Sequence, residues 1–132
     1  MKESIESGLS TTTRIVVDNS RTISFMGDEG RVYATPELVR DIENTCRDLL
    51  LLHVDEGEDS VGTHIDVSHI AATPVKMWVD ITVSVSQVKG RAVTFDISAN
   101  DAVEQICHGK HSRFVVDVAR TIAGLKRKME AI

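Results

Sequence analysis

The segment Thr35 to His53, TPELVRDIENTCRDLLLLH, constrains this chain more than any other, because it is the one clear helical pattern in it. At about 100° per residue, Leu38, Ile42, Thr45, Cys46, Leu49 and Leu52 share one face, and Val39 and Leu50 widen it on one side. Glu43 comes just beyond that side, on the shoulder of the apolar stripe, while Arg40 and Arg47 lie further round toward solvent. Thr35 is expected to cap the helix and Pro36 suits its first position. A stripe this wide has to be buried, and the residues that follow supply the cover.

After an acidic loop, DEGEDS (residues 55–60), the period changes from 3.6 to two. Val61 to Thr73 reads as a strand, with Val61, Thr63, Ile65, Val67, His69 and Ala71 on one face. Met77, Val79, Ile81, Val83 and Val85 mark a second strand, and Val93, Phe95 and Ile97 a third. Lys89-Gly90 and Asn100-Asp101 are the turns between them and after them. Ala102 to Val118 supplies a long fourth strand, with a bulge expected at Gly109. Before the helix, TTTRIVVD reads as a strand and RTISFM as a short extended piece, with residues 1–9 expected to be loose. At the far end, Ile122, Leu125, Met129 and Ile132 have helical spacing and predict a short basic helix, which Gly124 weakens.

One long apolar helix followed by a four-stranded antiparallel meander predicts an α+β hot-dog fold, an antiparallel sheet wrapped around a central helix. The 132 residues suit a single domain, residues 1–132, with one core. A lone sheet of this kind leaves an edge strand bare, so edge-to-edge pairing into a homodimer is expected. Net charge is −5, which argues against a general nucleic-acid binder. The longest apolar run, Leu49 to Leu52, is far too short to span a bilayer, so no membrane partner is expected. MKESIESGLS has no apolar signal-peptide core, and Cys46 and Cys107 have no metal-type spacing. A cytoplasmic protein with two reduced thiols is the simplest reading.

Three polar residues break the pattern. His69 sits at the end of an otherwise apolar strand face, Glu43 on the helix shoulder and Thr35 at the helix start. Singly, each has an ordinary reading: a hydrogen-bonded core histidine, a solvated glutamate, a cap. Together they are an imidazole, a carboxylate and a hydroxyl that a helix packed on a sheet can bring together. Thr35 and Glu43 are eight residues apart, about 12 Å along a helix axis, so a substrate would lie along the N-terminal half of the helix. Rival constellations are poorer. His64, Asp66 and Ser68 stand in a row on one strand face, and a zinc site from His64, His108 and His111 would need His108 and His111 to leave opposite faces of their strand. No cofactor or metal is expected. No glycine-rich phosphate loop, nucleophile elbow or CxxC pair is present.

An ordered set of short pieces then stands out: ATP (Ala34–Pro36), VGT (Val61–Thr63), HIAATP (His69–Pro74), KGR (Lys89–Arg91) and GKHSRFVV (Gly109–Val116). With Glu43 eight residues after Thr35, this set resembles the fluoroacetyl-CoA thioesterase family of hot-dog proteins over residues 12–118. The resemblance implies hydrolysis of an acyl-CoA thioester by a Thr, Glu and His set, which falls on Thr35, Glu43 and His69. It also implies Gly62 and Arg113 as substrate-binding residues. Where the family's specialised enzyme has a phenylalanine-rich lid, FMGDEGRVY offers only Phe25 and Tyr33, so a short or medium acyl-CoA is expected rather than a fluorinated one. Two alternatives remain: a non-catalytic hot-dog module that binds acyl-CoA or a related ligand, and a hot-dog dehydratase, for which no separate motif is visible.

Overall fold

A computed structural model describes residues 1–132. Seven strands and two helices follow in the order β1 (Ser10–Val16), β2 (Thr22–Ile23), β3 (Val32–Tyr33), α1 (Thr35–Leu51), β4 (Glu58–His69), β5 (Trp78–Lys89), β6 (Ala92–Asp101), β7 (Gln105–Asp117) and α2 (Val118–Glu130). Five strands form one sheet in the order β1-β5-β6-β7-β4, and β2 and β3 form a small ribbon beside it. All pairs are antiparallel.

The 17-residue α1 lies against the inner face of this sheet as the periodicity requires. Leu38, Ile42, Cys46, Leu49 and Leu50 are buried against Val79, Ile81, Val83 and Val85 of β5, Val93, Phe95 and Ile97 of β6, and Ile106, Cys107 and Val115 of β7. Fully burying each such side chain is worth about 1.5–3 kcal/mol. This is the hot-dog arrangement expected from the sequence.

Four expectations change. The strands are not a simple meander: β4 pairs with β7 rather than with β5, and β1 takes the far side of β5. The loop from His69 to Trp78 carries the chain across, and β1 is what covers the otherwise bare edge of β5. Residues 1–9 are ordered, because Ile5 is 4% exposed in the core, Lys2 N–H donates to His53 O, and Gly8 N–H donates to Val85 O. Thr35 is not a cap; Ala34 holds that position with extended backbone and no side-chain bond, and Thr35 is the first helical residue. Finally, no register shift falls at Gly109: β7 is irregular at Ile106 instead, opposite Ala99 and Asn100, and a further bulge lies in β4. Gly62 pairs with Arg113 and His64 with Ser112, so Thr63 is the extra residue.

The bulge resets which side chains face α1. Directly opposed residues share a face, so Ser60 and Gly62 before it, and Ile65, Val67 and His69 after it, lie with Val115, Arg113, His111, Gly109 and Cys107. Val61, expected on that face, pairs with Phe114 on the outer one. Gly109 is needed for a different reason. A Cβ there would collide with the Asp66 carbonyl and lie 2.6 Å from Val67 Cα, so β4 and β7 approach too closely for a side chain. No helix is long and apolar enough to cross a membrane.

Candidate active site

The start of α1 is fixed by a buried polar network. Tyr33, 1% exposed, donates its hydroxyl to Asp41 in the helix, and Arg21 Nε donates to the same carboxylate at 2.9 Å. Burial, and then the bond to Asp41, push the Tyr33 phenol well above its ordinary value, so it stays protonated. With Ala34 as cap, the Thr35 hydroxyl is free of capping duty. It sits 2.8 Å from His69 Nδ1, at the end of β4. The Tyr33 ring meets the His69 ring edge-on at 6.4 Å and limits how the imidazole can turn.

Thr35 and His69 open onto a cavity of ≈270 Å³ whose apolar wall includes Ile23, Val32, Ile70 and Ala71. The other imidazole nitrogen, His69 Nε2, is buried and has no hydrogen-bond partner. Native proteins rarely leave such an atom unpaired, since the desolvation costs about 1–3 kcal/mol, and a bound polar group would satisfy it. Burial lowers the His69 pKa from 6.5, which keeps the ring neutral and able to accept a proton.

A second group of polar residues lies on the same face nearer the start of β4. Arg113, 5% exposed, donates from Nε to Ser60 Oγ at 2.8 Å and from its second terminal nitrogen to Ser60 O at 2.9 Å. Glu43 on α1 faces Gly62 so closely that a Cβ at residue 62 would stand 2.6 Å from Glu43 Oε1, 3.3 Å from His111 Cε1 and 3.5 Å from an Arg113 guanidinium nitrogen. A side chain at residue 62 would therefore push the end of the Glu43 side chain aside and press on the His111 ring. Of the five expected site residues, Thr35 and His69 form one group, and Glu43, Gly62 and Arg113 the other. Along one chain the two are well separated: Gly62 and His69 are seven residues apart on β4, roughly 20 Å.

A family model described as fluoroacetyl-CoA-specific thioesterase matches residues 17–119. The chain belongs to that family. It is 31% identical to the fluoroacetyl-CoA thioesterase of Streptantibioticus cattleyicolor, over 99% of both chains. A solved structure of a fluoroacetyl-CoA thioesterase superposes with a TM-score of 0.86 at 30% identity, covering 94% of this chain and 97% of the other. A thioesterase superfamily member from Thermus thermophilus gives 0.87 at 25% identity, covering 96% and 95%. A hot-dog-like protein from Thermanaerovibrio acidaminovorans, at 22% identity and a TM-score of 0.84, covers 92% of this chain and 91% of its own and shares the fold.

Sequence reasoning missed how His111 is used. It is fully buried, with Nδ1 2.7 Å from His64 O and Nε2 3.2 Å from an Arg113 nitrogen. Both ring nitrogens are therefore occupied, and His108 points to the outer face, so the zinc alternative has no ligand set. The signal was available: His111 and Arg113 are two apart in a strand, on one face. Tyr33, Asp41 and Arg21 carried no pattern, because they come from three separate elements.

These two imidazoles, one fully and one partly buried, predict an early acid transition. Burial is the main cause that lowers both His69 and His111 from 6.5, with Arg113 adding to the effect at His111. The unfolded chain then binds more protons than the folded one below about pH 6.5. Their contribution is full above that pH and is lost as pH falls through the folded-state values. Asp59, held low first by Arg47, and Asp80, held low by Arg14, titrate only in stronger acid. Thermal melts between pH 7.5 and 5 should show Tm falling from about 6.5 downward, before the carboxylates protonate. A Tm that stays constant to pH 5 would refute it.

Proposed function

We propose that this protein hydrolyses an acyl-CoA thioester to the free acid and CoA, with Thr35, Glu43 and His69 as the reacting groups. The observation that carries the reading is the Thr35–His69 hydrogen bond beside an apolar cavity. A neutral imidazole here can accept the proton of an attacking hydroxyl or water and return it to the leaving thiolate. Glu43 acts as base or nucleophile at the carbonyl, and Arg113 and Gly62 hold the substrate against it. Water supplies the oxygen, either by attacking the thioester directly or by cleaving the acyl–enzyme bond formed first: a C–O bond forms, the C–S bond breaks, one water proton ends on the CoA sulfur and the hydroxyl on the acid.

The substrate is a short or medium acyl-CoA. Fluoroacetyl-CoA is the named substrate of the characterised relatives, and one was solved with fluoroacetate and CoA. Here Phe25 is 88% exposed and the Tyr33 hydroxyl is committed to Asp41, so neither supplies the aromatic enclosure that fluorine selectivity would use.

The working form is a homodimer joined through β4, with the site near the interface. β4 is an edge strand of 12 residues, with Val61 43% and Ile65 38% exposed. Antiparallel two-fold pairing of β4 with its copy sets the Gly62 half of one strand beside the His69 end of the other. Glu43 of one subunit then approaches Thr35 and His69 of its partner. Sedimentation should give a dimer at micromolar concentration, and a monomer there would overturn this arrangement. A chain that stays monomeric keeps Glu43 apart from Thr35 and His69, and fits the second reading, an acyl-CoA-binding module. A panel of acyl-CoAs assayed for free thiol separates the two: turnover supports the thioesterase, and binding without turnover the module.

A further inference from the structure

Hydrogen-bond donors and acceptors around His111 leave its ring one possible state. A carbonyl oxygen can only accept, so Nδ1, 2.7 Å from His64 O, must carry a proton and donate it. A guanidinium nitrogen can only donate, so Nε2, 3.2 Å from Arg113, must be bare and accept. His111 is thus the neutral Nδ1–H tautomer. One of its bonds reaches the residue just after the bulge that separates Gly62 from His64, and the other holds the guanidinium. Arg113 is otherwise gripped only from Ser60, on the other side of Gly62.

We infer that His111 is a positioning residue: it orients the Arg113 guanidinium and the bulged stretch of β4 around Gly62, opposite Glu43. This rests on the reading of Glu43, Gly62 and Arg113 as part of a thioesterase site. His111 itself touches no reacting atom. Without its Nε2 acceptor, the Arg113 nitrogen nearest Gly62 loses its anchor, and the guanidinium can turn about its two bonds to Ser60. With an imidazolium in its place, two sets of donors would face each other.

Two amide substitutions divide the ring's duties. In His111→Asn the amide nitrogen replaces Nδ1 and keeps the bond to His64 O, but Arg113 loses its acceptor. In His111→Gln the longer side chain brings an oxygen to the Nε2 position and restores that acceptor. With acetyl-CoA as probe, His111→Asn should lower kcat/KM by about 10-fold or more, since small misplacements near a reacting centre cost this much. His111→Gln should recover most of that loss, and the two variants should melt within a few degrees of each other. Two results overturn the inference: both variants turn over as the parent does, or both lose activity equally and in step with Tm. If the parent itself releases no CoA from any acyl-CoA, the thioesterase reading fails, and imidazole 15N spectra of the parent at pH 7 still decide this one. The neutral Nδ1–H tautomer at His111 supports it, and an Nε2–H tautomer or an imidazolium refutes it.

Discussion

Glu43→Gln is expected to fold like the parent and to hydrolyse acyl-CoA about 100-fold more slowly, or worse, the usual cost of removing a general base. The exchange keeps the side chain's size where its end occupies the space a Cβ on residue 62 would take. The amide keeps an oxygen to face the Arg113 guanidinium, so packing is conserved and charge is what changes. A kcat near the parent's would make Glu43 a helix-surface carboxylate and remove it from the chemistry. The melting temperature is the control: a variant that is slow and also melts early reports damage, whereas a slow variant with an unchanged melt reports lost reactivity.

His69→Ala should also remove most of kcat, while His64→Ala and His108→Ala on the outer face of the sheet stay within about threefold of the parent. The stability change should be small for a specific reason. Alanine forfeits the Thr35 bond and the edge contact with Tyr33, but it also removes the buried Nε2 that has no partner. These oppose each other, each on the order of 1 kcal/mol. Full activity with a Tm lowered by several degrees would make His69 a structural residue and leave the thioesterase assignment on Thr35 and Glu43.

What the sequence made legible was whatever depends on neighbours along the chain. The stripe Leu38, Ile42, Cys46 and Leu49 and the alternation Val79, Ile81, Val83 and Val85 are local, and helix and strand periods expose them directly. The candidate residues were legible for the same reason, as polar interruptions of apolar patterns at Glu43 and His69. Pairing partners were not. Nothing in residues 61–69 states that they pair with 107–114 and not with 78–86, since both stretches offer the same alternation. A single extra residue at Thr63 reversed the side of Val61, and no glycine or proline at that position announced it. Thr35 looked like a cap because its type suits one; that Ala34 takes the role, freeing the hydroxyl for His69, depends on Tyr33 and Arg21 fixing the chain's entry into α1.

Cys46 and Cys107 are both completely buried under α1 and the sheet. Burial pushes their thiols up to about 12 and about 11, so neither offers a thiolate at neutral pH. An aromatic disulfide reagent added to follow CoA release therefore meets no competing protein thiol while the fold is intact. The same reagent without substrate becomes a probe of opening, because colour can then develop only when the core around α1 comes apart. One reagent thus serves two readings on each variant, turnover and integrity, and separates a chemically silenced site from a collapsed one in the same cuvette.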